Sequence, residues 1–360
     1  MRIALLGTRG IPANYGGFET FAEELSVRLV ERGHQVTVYC RERYPAPRYR
    51  GVGLQYLPTV HNKYTDTLAH TFLSTLHLIT HRVDCALYCN AANAIFLILP
   101  RLASVPVALN VDGIERKRKK WNALARGWYR MSEFLATVLP NRTVSDARVI
   151  ERYYRERYGK ETTFIPYGAD TAKLESNEAL RRLRLERGQY FLYVSRMEPE
   201  NHALQVRRAF EQVPTSMRLA LIGDAPHAAE YIREVRDTKD SRIVMPGGVY
   251  GKGYHELGSH CFAYVHATEV GGTHPALIEA MGKGALVLYR GTPENVEVCG
   301  DAGLAFADEE ELVARMREAI AMPEAEREVF RRRATARVRE RYDWEAVTTQ
   351  YERLFEEMSR

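Results

Sequence analysis

The chain reads as an α/β protein made of two consecutive units, each built on a parallel sheet, and three observations predict this. Short apolar strand patterns alternate with amphipathic helix patterns from one end to the other, the order that parallel sheets require. At 360 residues the chain exceeds what one hydrophobic core ordinarily organises. A short strand and a Pro/Gly turn, Phe164-Ile165-Pro166-Tyr167-Gly168-Ala169-Asp170, then interrupt the series, and strand patterns begin afresh beyond it. The expected division is 1–168 and 169–342, with a terminal helix over about 343–360 packing back onto the first unit.

In the first unit Ile3 to Leu6 makes a strand, and Gly17 to Arg32 a helix with Phe18, Phe21, Ala22, Leu25 and Leu29 on one face. Gly33 ends that helix, and Gln35 to Cys40 is the next strand. Further strands are expected at Cys85 to Tyr88, Val107 to Val111 and Thr143 to Val144, with helices at His70 to His81 and Trp121 to Leu139. The segment Thr71 to Ile79 is apolar on several sides, which fits both a core position and a membrane-facing one. After the turn, the polar stretch Thr171 to Gly188 is expected to be helical. Strands follow at Tyr190 to Val194, Arg218 to Ile222, Ile243 to Met245, Phe262 to Val265 and Ala285 to Tyr289. Glu324 to Arg341 is a charged helix, and Trp344 to Met358 the terminal one.

Composition narrows the class. An apolar share of 45% supports globular folding, and the five cysteines contain no CxxC pair, so neither a disulfide framework nor a zinc site is indicated. The opening apolar run is too short for a signal peptide, and nothing approaches the roughly 20 apolar residues of a membrane span. The expectation is a cytoplasmic protein, soluble or peripheral at the inner face of a membrane. Net charge is a modest +5. One cluster is denser: Arg116-Lys117-Arg118-Lys119-Lys120-Trp121, then Arg126, Trp128, Tyr129 and Arg130. Basic residues beside interfacial aromatics suit an anionic lipid surface, at about 1 kcal/mol per charge, while a solvated helix face fits the same residues. No nucleic-acid-binding signature accompanies the cluster.

The stretch from Glu269 to Gly284 says most about chemistry. Between two strand patterns it places a glycine pair, Gly271 and Gly272, then Thr273 as a helix cap, His274, Pro275 in the first turn, Glu279 further in and Gly284 at the exit. Backbone N–H groups can approach an anion closely there, the helix dipole adds favourable charge, and Glu279 could accept hydrogen bonds from sugar hydroxyls. A tight turn followed by a packing helix is the plainer alternative. The loop from Gly7 to Thr20 lacks the dinucleotide fingerprint, but Gly16 and Gly17 at a helix start suit close approach to a phosphate or sugar. Arg196, after the first strand of the second unit, could neutralise diphosphate oxygens or form a surface ion pair. Asp112 in Asn110-Val111-Asp112-Gly113 could orient or deprotonate an acceptor hydroxyl, or simply form a turn. His266 and His274 are further candidates for substrate contact. No nucleophile triad, metal-spaced cluster or cofactor motif is present.

Taken together, the segments GTRGIPANYGGFET, NVDG, IPYGAD, SRMEPEN and EVGGTHPALIEAM resemble glycosyltransferase family four, and within it a bacterial rhamnosyltransferase-like branch. The resemblance implies a GT-B fold, two Rossmann-like domains facing a cleft, and transfer with retained anomeric configuration. It implies that Gly16 and Gly17 approach donor phosphates or sugar, Arg196 the diphosphate, Gly272, Thr273 and His274 the phosphates and transferred sugar, and Glu279 the ribose. The loop Pro246 to Tyr250, with Val249 and Tyr250, would hold the base, and Asp112 would lie beside the acceptor. Two positions depart from the broad family: Asn201 stands where a Lys is usual, and Gly271 where the first of two glutamates is usual, with Glu269 close by. His274 replaces the Asn typical of the branch. Implied partners are a dTDP- or UDP-sugar donor and a saccharide or lipid-linked saccharide acceptor, with no cofactor and no metal. A UDP-hexose or UDP-N-acetylhexosamine transferase, a sugar-nucleotide epimerase and a non-catalytic nucleotide-binding member are the alternative readings.

Overall fold

A computed structural model describes residues 1–14, 16–60, 65–118, 121–225 and 228–360. Tyr15 of the first loop, residues 61–64, and Lys119 and Lys120 of the basic run lie outside the described residues, as does the Lys117 side chain. The chain divides into two compact units, residues 1–167 together with 344–360, and residues 168–343.

The first unit comprises β1 (Arg2–Leu6), α1 (Gly17–Glu31), β2 (Gln35–Cys40), β3 (Arg48–Tyr49), β4 (Val52–Tyr56), α2 (Asp66–Thr80), β5 (Cys85–Cys89), a 3-10 segment Ala91–Leu97, α3 (Ile98–Leu102), β6 (Val107–Asn110), α4 (Ala123–Val138), β7 (Arg142–Ser145), α5 (Arg148–Tyr158) and β8 (Thr163–Phe164). Its sheet runs β3-β4-β2-β1-β5-β6-β7-β8, parallel except for the β3–β4 hairpin, which the sequence pattern did not reveal. β1 lies at the reversal of strand order, and Ile3, Ala4, Leu5 and Leu6 are all buried, as expected of a strand covered on both faces.

The second unit comprises α6 (Glu178–Arg182), β9 (Tyr190–Val194), α7 (Ala203–Glu211), β10 (Arg218–Ile222), α8 (Ala229–Arg236), β11 (Ile243–Gly247), α9 (Gly251–His260), β12 (Ala263–His266), α10 (Pro275–Gly282), β13 (Leu286–Arg290), α11 (Pro293–Cys299), β14 (Gly303–Phe306), α12 (Glu309–Ala321) and α13 (Glu324–Arg341). Its all-parallel sheet runs β11-β10-β9-β12-β13-β14 around Phe191, Tyr193, Leu219, Leu221, Val265 and Leu288. The terminal α14 (Trp344–Ser359) packs on α1 of the first unit, with Tyr351 5.3 Å from Phe21 ring to ring and Arg28 5.3 Å over Trp344. Arg32 adds ion pairs to Glu345 and Glu352.

One expectation fails here. Of the stretch Thr171 to Gly188 only α6 is helical, because its first residues are held extended against neighbours. The Leu174 N–H donates to Ser259 Oγ at 3.0 Å, and Lys283 donates to the Ala172 carbonyl. No helix among the described residues is long and apolar enough to cross a membrane.

Candidate functional site

The strand order of the second sheet reverses at β9, which lies between β10 and β12. At such a reversal the loops leaving the strand ends diverge and open a ligand-binding crevice at the carboxyl edge. Here the loops after β9 and β12 are joined to each other. The Glu269 N–H donates to the Glu200 carbonyl at 3.1 Å, His202 Nε2 lies 2.9 Å from Glu269 Oε2, and the Ser195 and Thr268 hydroxyls are 3.4 Å apart. The β10 loop is pressed against the same place: a Cβ on Gly223, whose φ is +148°, would strike the Ser195 carbonyl oxygen, so only glycine fits.

Arg196 leaves β9 half-exposed, its guanidinium 3.8 Å from Glu198. Asn201 is buried, and its side-chain amide donates to the Arg196 carbonyl at 2.7 Å. Where the broader family presents a lysine charge, this chain therefore fixes the turn that carries Arg196. Glu269, the carboxylate nearest the missing family glutamate, is engaged with His202.

The glycine pair behaves in an unforeseen way. A Cβ on Gly271 would fall within the His274 imidazole, so the ring occupies the space that any side chain at position 271 would need. Asn295 holds the ring there. Its Nδ2 donates to the carbonyls of Thr268 and Arg290, both at 3.0 Å, so its Oδ1 must accept from His274 Nδ1, 2.9 Å away. That assignment puts the proton on Nδ1. His266 lies beneath, 4.8 Å ring to ring, and burial next to His274 holds it well below the ordinary imidazole range, hence neutral. The cap of α10 is His274, without a side-chain cap bond, and not Thr273 as the sequence pattern predicted; Thr273 is buried. Pro275 occupies the first helical position as expected.

Glu279 sits one turn inside α10 and accepts a hydrogen bond from the Tyr254 hydroxyl. Burial, then the Glu279 charge, push that phenol well above its usual range, so it remains a donor. Val249 is buried and Tyr250 half-exposed at the start of α9, and the Gly247 carbonyl accepts from the Gly223 N–H at 2.9 Å, which links the loops after β11 and β10. These bonds join the loops after β9, β10, β11 and β12; Arg196, Asn201, Val249, Tyr250, Glu269, Gly271, Gly272, Thr273 and His274 lie on them, and Glu279 lies within α10. The roles of Tyr254, Asn295 and His202 carried no sequence signal, because each depends on a contact made only in the fold.

In the first unit the β1 loop reaches α1 at its cap, Gly16, whose carbonyl accepts from Glu19 and Thr20, with Gly17 opening the helix. Two carboxylates of α1 hold this loop: Glu19 accepts from the Arg9 N–H at 2.9 Å and Glu23 from the Ala13 N–H at 2.6 Å. The pair at one-turn spacing was the available sequence signal. A charge already stands at this helix start, which favours neutral hydroxyls over phosphate there. Asp112 follows β6 with φ +52°, a conformation Asp tolerates better than most residues, and its N–H donates to Asn110 Oδ1 at 3.0 Å. The Tyr167 hydroxyl lies 3.4 Å from its carboxylate. In the basic cluster, Arg116 pairs with Glu133 and Tyr153, and Arg118 is buried against Glu115. Arg116 is partly buried and Arg118 buried, each in an ion pair, whereas Arg126 and Arg130 are exposed.

The description Glycosyltransferase Family 4 matches residues 15–173, and Glycosyl transferases group 1 matches residues 188–322. The chain belongs to glycosyltransferase family 4. It is a transferase, and the two matched segments fall largely one in each unit. No curated protein matches the sequence significantly. Among solved structures, the glycosyltransferase is similar to sucrose-phosphate synthase from Thermosynechococcus elongatus, with 18% identity, a TM-score of 0.81, and 99% of this chain and 98% of that one covered. It is similar to Anabaena HepE, solved with UDP and glucose, with 15% identity, a TM-score of 0.81 and coverage of 99% and 100%. WaaG, a glycosyltransferase involved in lipopolysaccharide biosynthesis, gives 15% identity, a TM-score of 0.75 and 99% coverage of both chains. These likenesses establish the GT-B fold.

Proposed function

We propose that this glycosyltransferase transfers L-rhamnose from dTDP-rhamnose to a lipid-linked saccharide during surface polysaccharide assembly, working peripherally at the inner face of the membrane. The observation that carries the donor class is Glu279, held by Tyr254 inside α10 while the glycine pair and His274 open that helix at the sheet's reversal point. This arrangement offers backbone N–H groups and a helix terminus to phosphate, and a fixed acceptor to sugar hydroxyls. The HepE structures with UDP and with UDP-glucose support a nucleoside diphosphate as leaving group, and WaaG supports a surface glycan as product. Rhamnose rests on the resemblance of the five segments to the rhamnosyltransferase-like branch.

In this reading Arg196 and the α10 terminus stabilise the departing diphosphate. Gly16 and Gly17 approach the sugar, and Asp112 orients the acceptor hydroxyl. The sugar is delivered to the face the diphosphate leaves, with the phosphate taking the acceptor proton, in contrast to the covalent intermediate of two-carboxylate retaining glycosidases. A sugar adduct on the protein in a stalled reaction would contradict this. The UDP found with HepE favours a second reading, a UDP-hexose or UDP-N-acetylhexosamine donor. Thermal stabilisation by dTDP, UDP, GDP and ADP separates the two: selective response to dTDP supports the rhamnosyl reading, and preference for UDP replaces it.

A further inference from the structure

Two helices of the first unit bury polar side chains beside apolar ones while exposing large apolar residues. On α4 the buried face includes Ser132 and Glu133, while Leu124, Met131, Phe134 and Val138 are exposed. Those four residues recur at intervals of seven, three and four, so they form one stripe about 21 Å long on the outer face. On α2 the fold buries His70, Thr71, Ser74 and Thr75 and exposes Phe72, Leu73 and Leu76, again at helical spacing. Between them α3 exposes Ile98 and Leu102. Leu124 is 85% exposed, Leu102 79% and Phe134 54%. The elements adjoin: Phe72 lies 5.9 Å from Phe96 ring to ring, Arg101 of α3 donates to the Val138 and Leu139 carbonyls, and the Trp128 indole of α4 donates to the Ala92 carbonyl.

Charge on these helices has one sign at the surface. Their only carboxylates are Asp66, paired with Arg41, and Glu133, buried against Arg116 and Tyr153, whereas Arg126 and Arg130 are exposed. We infer that α2, α3 and α4 form a docking face for an anionic lipid bilayer. The apolar stripe enters the headgroup boundary and the two arginines meet lipid phosphates, the arrangement of a helix lying in the membrane plane. A symmetric pairing of two copies through this patch would set arginines against arginines with no exposed carboxylate on these helices to answer them. The face differs from the basic run Arg116 to Lys120, whose described arginines are paired with Glu133 and Glu115. The proposal rests on the membrane-peripheral part of the reading above and leaves the donor chemistry independent of it.

The test is co-sedimentation of the full chain with phosphatidylglycerol–phosphatidylcholine vesicles and with phosphatidylcholine vesicles alone. Two double variants, Leu124→Ser/Phe134→Ser and Arg126→Glu/Arg130→Glu, alter exposed side chains only, and their melting temperatures report folding. The expected result is binding to the anionic vesicles that falls roughly tenfold or more in each double variant, with unchanged melting. Binding equal to wild type in either variant, or no binding by the wild type, overturns the proposal. So does self-association in light scattering that Leu124→Ser/Phe134→Ser abolishes, which would make the face an interface between copies. Stabilisation by nucleotide, measured on the same samples, is expected in every variant; its absence would count against the donor reading and not against this face.

Discussion

The loops after β1 and β12 each lead from a strand at or beside the reversal point of its sheet into a glycine-marked helix start, yet they differ in the charge they carry. The β1 loop is clasped by Glu19 and Glu23, and Glu19 lies in the first turn of α1. The first turn of α10 holds no acid, Glu269 is engaged with His202, and Arg196 stands on the adjoining loop, which Glu269 joins through the Glu200 carbonyl. The two helix starts thus differ in charge: a carboxylate stands in the first turn of α1 and none in the first turn of α10, although both are marked by glycine.

The most damaging single change that separates the two is expected at Gly271. Gly271→Ala drives a methyl into the His274 ring, and overpacking of this kind costs about 1–3 kcal/mol. Transfer activity is expected to fall about 100-fold as the α10 start shifts, since misplacement of about 1 Å carries that penalty. Adding His274→Ala should restore most of the stability; a double variant no more stable than Gly271→Ala would show that the ring is not what fills the space. The counterpart in the first unit is Glu19→Gln, which weakens the clasp on Arg9 and is expected to cost about 1–2 kcal/mol in denaturant unfolding while nucleotide still stabilises the protein. Loss of the nucleotide response in that variant would erase the distinction drawn between the loops.

A smaller effect comes from pH. His70 of the first unit is lowered to about 4 by burial and then by Arg41, and His266 of the second falls well below 6.5 through burial and His274. Both are depressed relative to the unfolded chain, so their contribution to stability is complete above about pH 6.5 and is lost as pH falls towards the folded values. Each contributes a slope of at most about 1.4 kcal/mol per pH unit in that window. His266→Phe should flatten the loss measured between pH 6.5 and 4.5; an unchanged slope would show that His266 does not contribute to it.

The strands were legible in the sequence because parallel strands covered on both faces are nearly continuous apolar runs, as in CALYC, YFLYV and LVLYR. The helical character of α2 and α4 was legible too, but not which face turns inward: Ser74, Ser132 and Glu133 are poor candidates for burial by composition, and only packing shows that they are inside. Thr171 to Gly188 misled because helix-forming residues there are held extended by Ser259 and Lys283, a tertiary constraint that overrides local preference. Of the site, Arg196, the glycine pair and Glu279 were readable as motif residues. Asn295, which orients His274, and His202, which engages Glu269, lie at sequence distances that no local pattern connects.

We propose that the α10 start with Glu279 is a nucleoside-diphosphate site selective for dTDP. Its test is the melting temperature of the wild type and of Glu279→Ala with dTDP, UDP, GDP and ADP, all at one concentration of about 100 times the wild-type dissociation constant for dTDP, where that ligand adds about 2.7 kcal/mol and weaker ones less. The expected result is stabilisation of the wild type by dTDP above the others and its loss in Glu279→Ala. Equal stabilisation of the two proteins, or no response to any nucleotide, would contradict it.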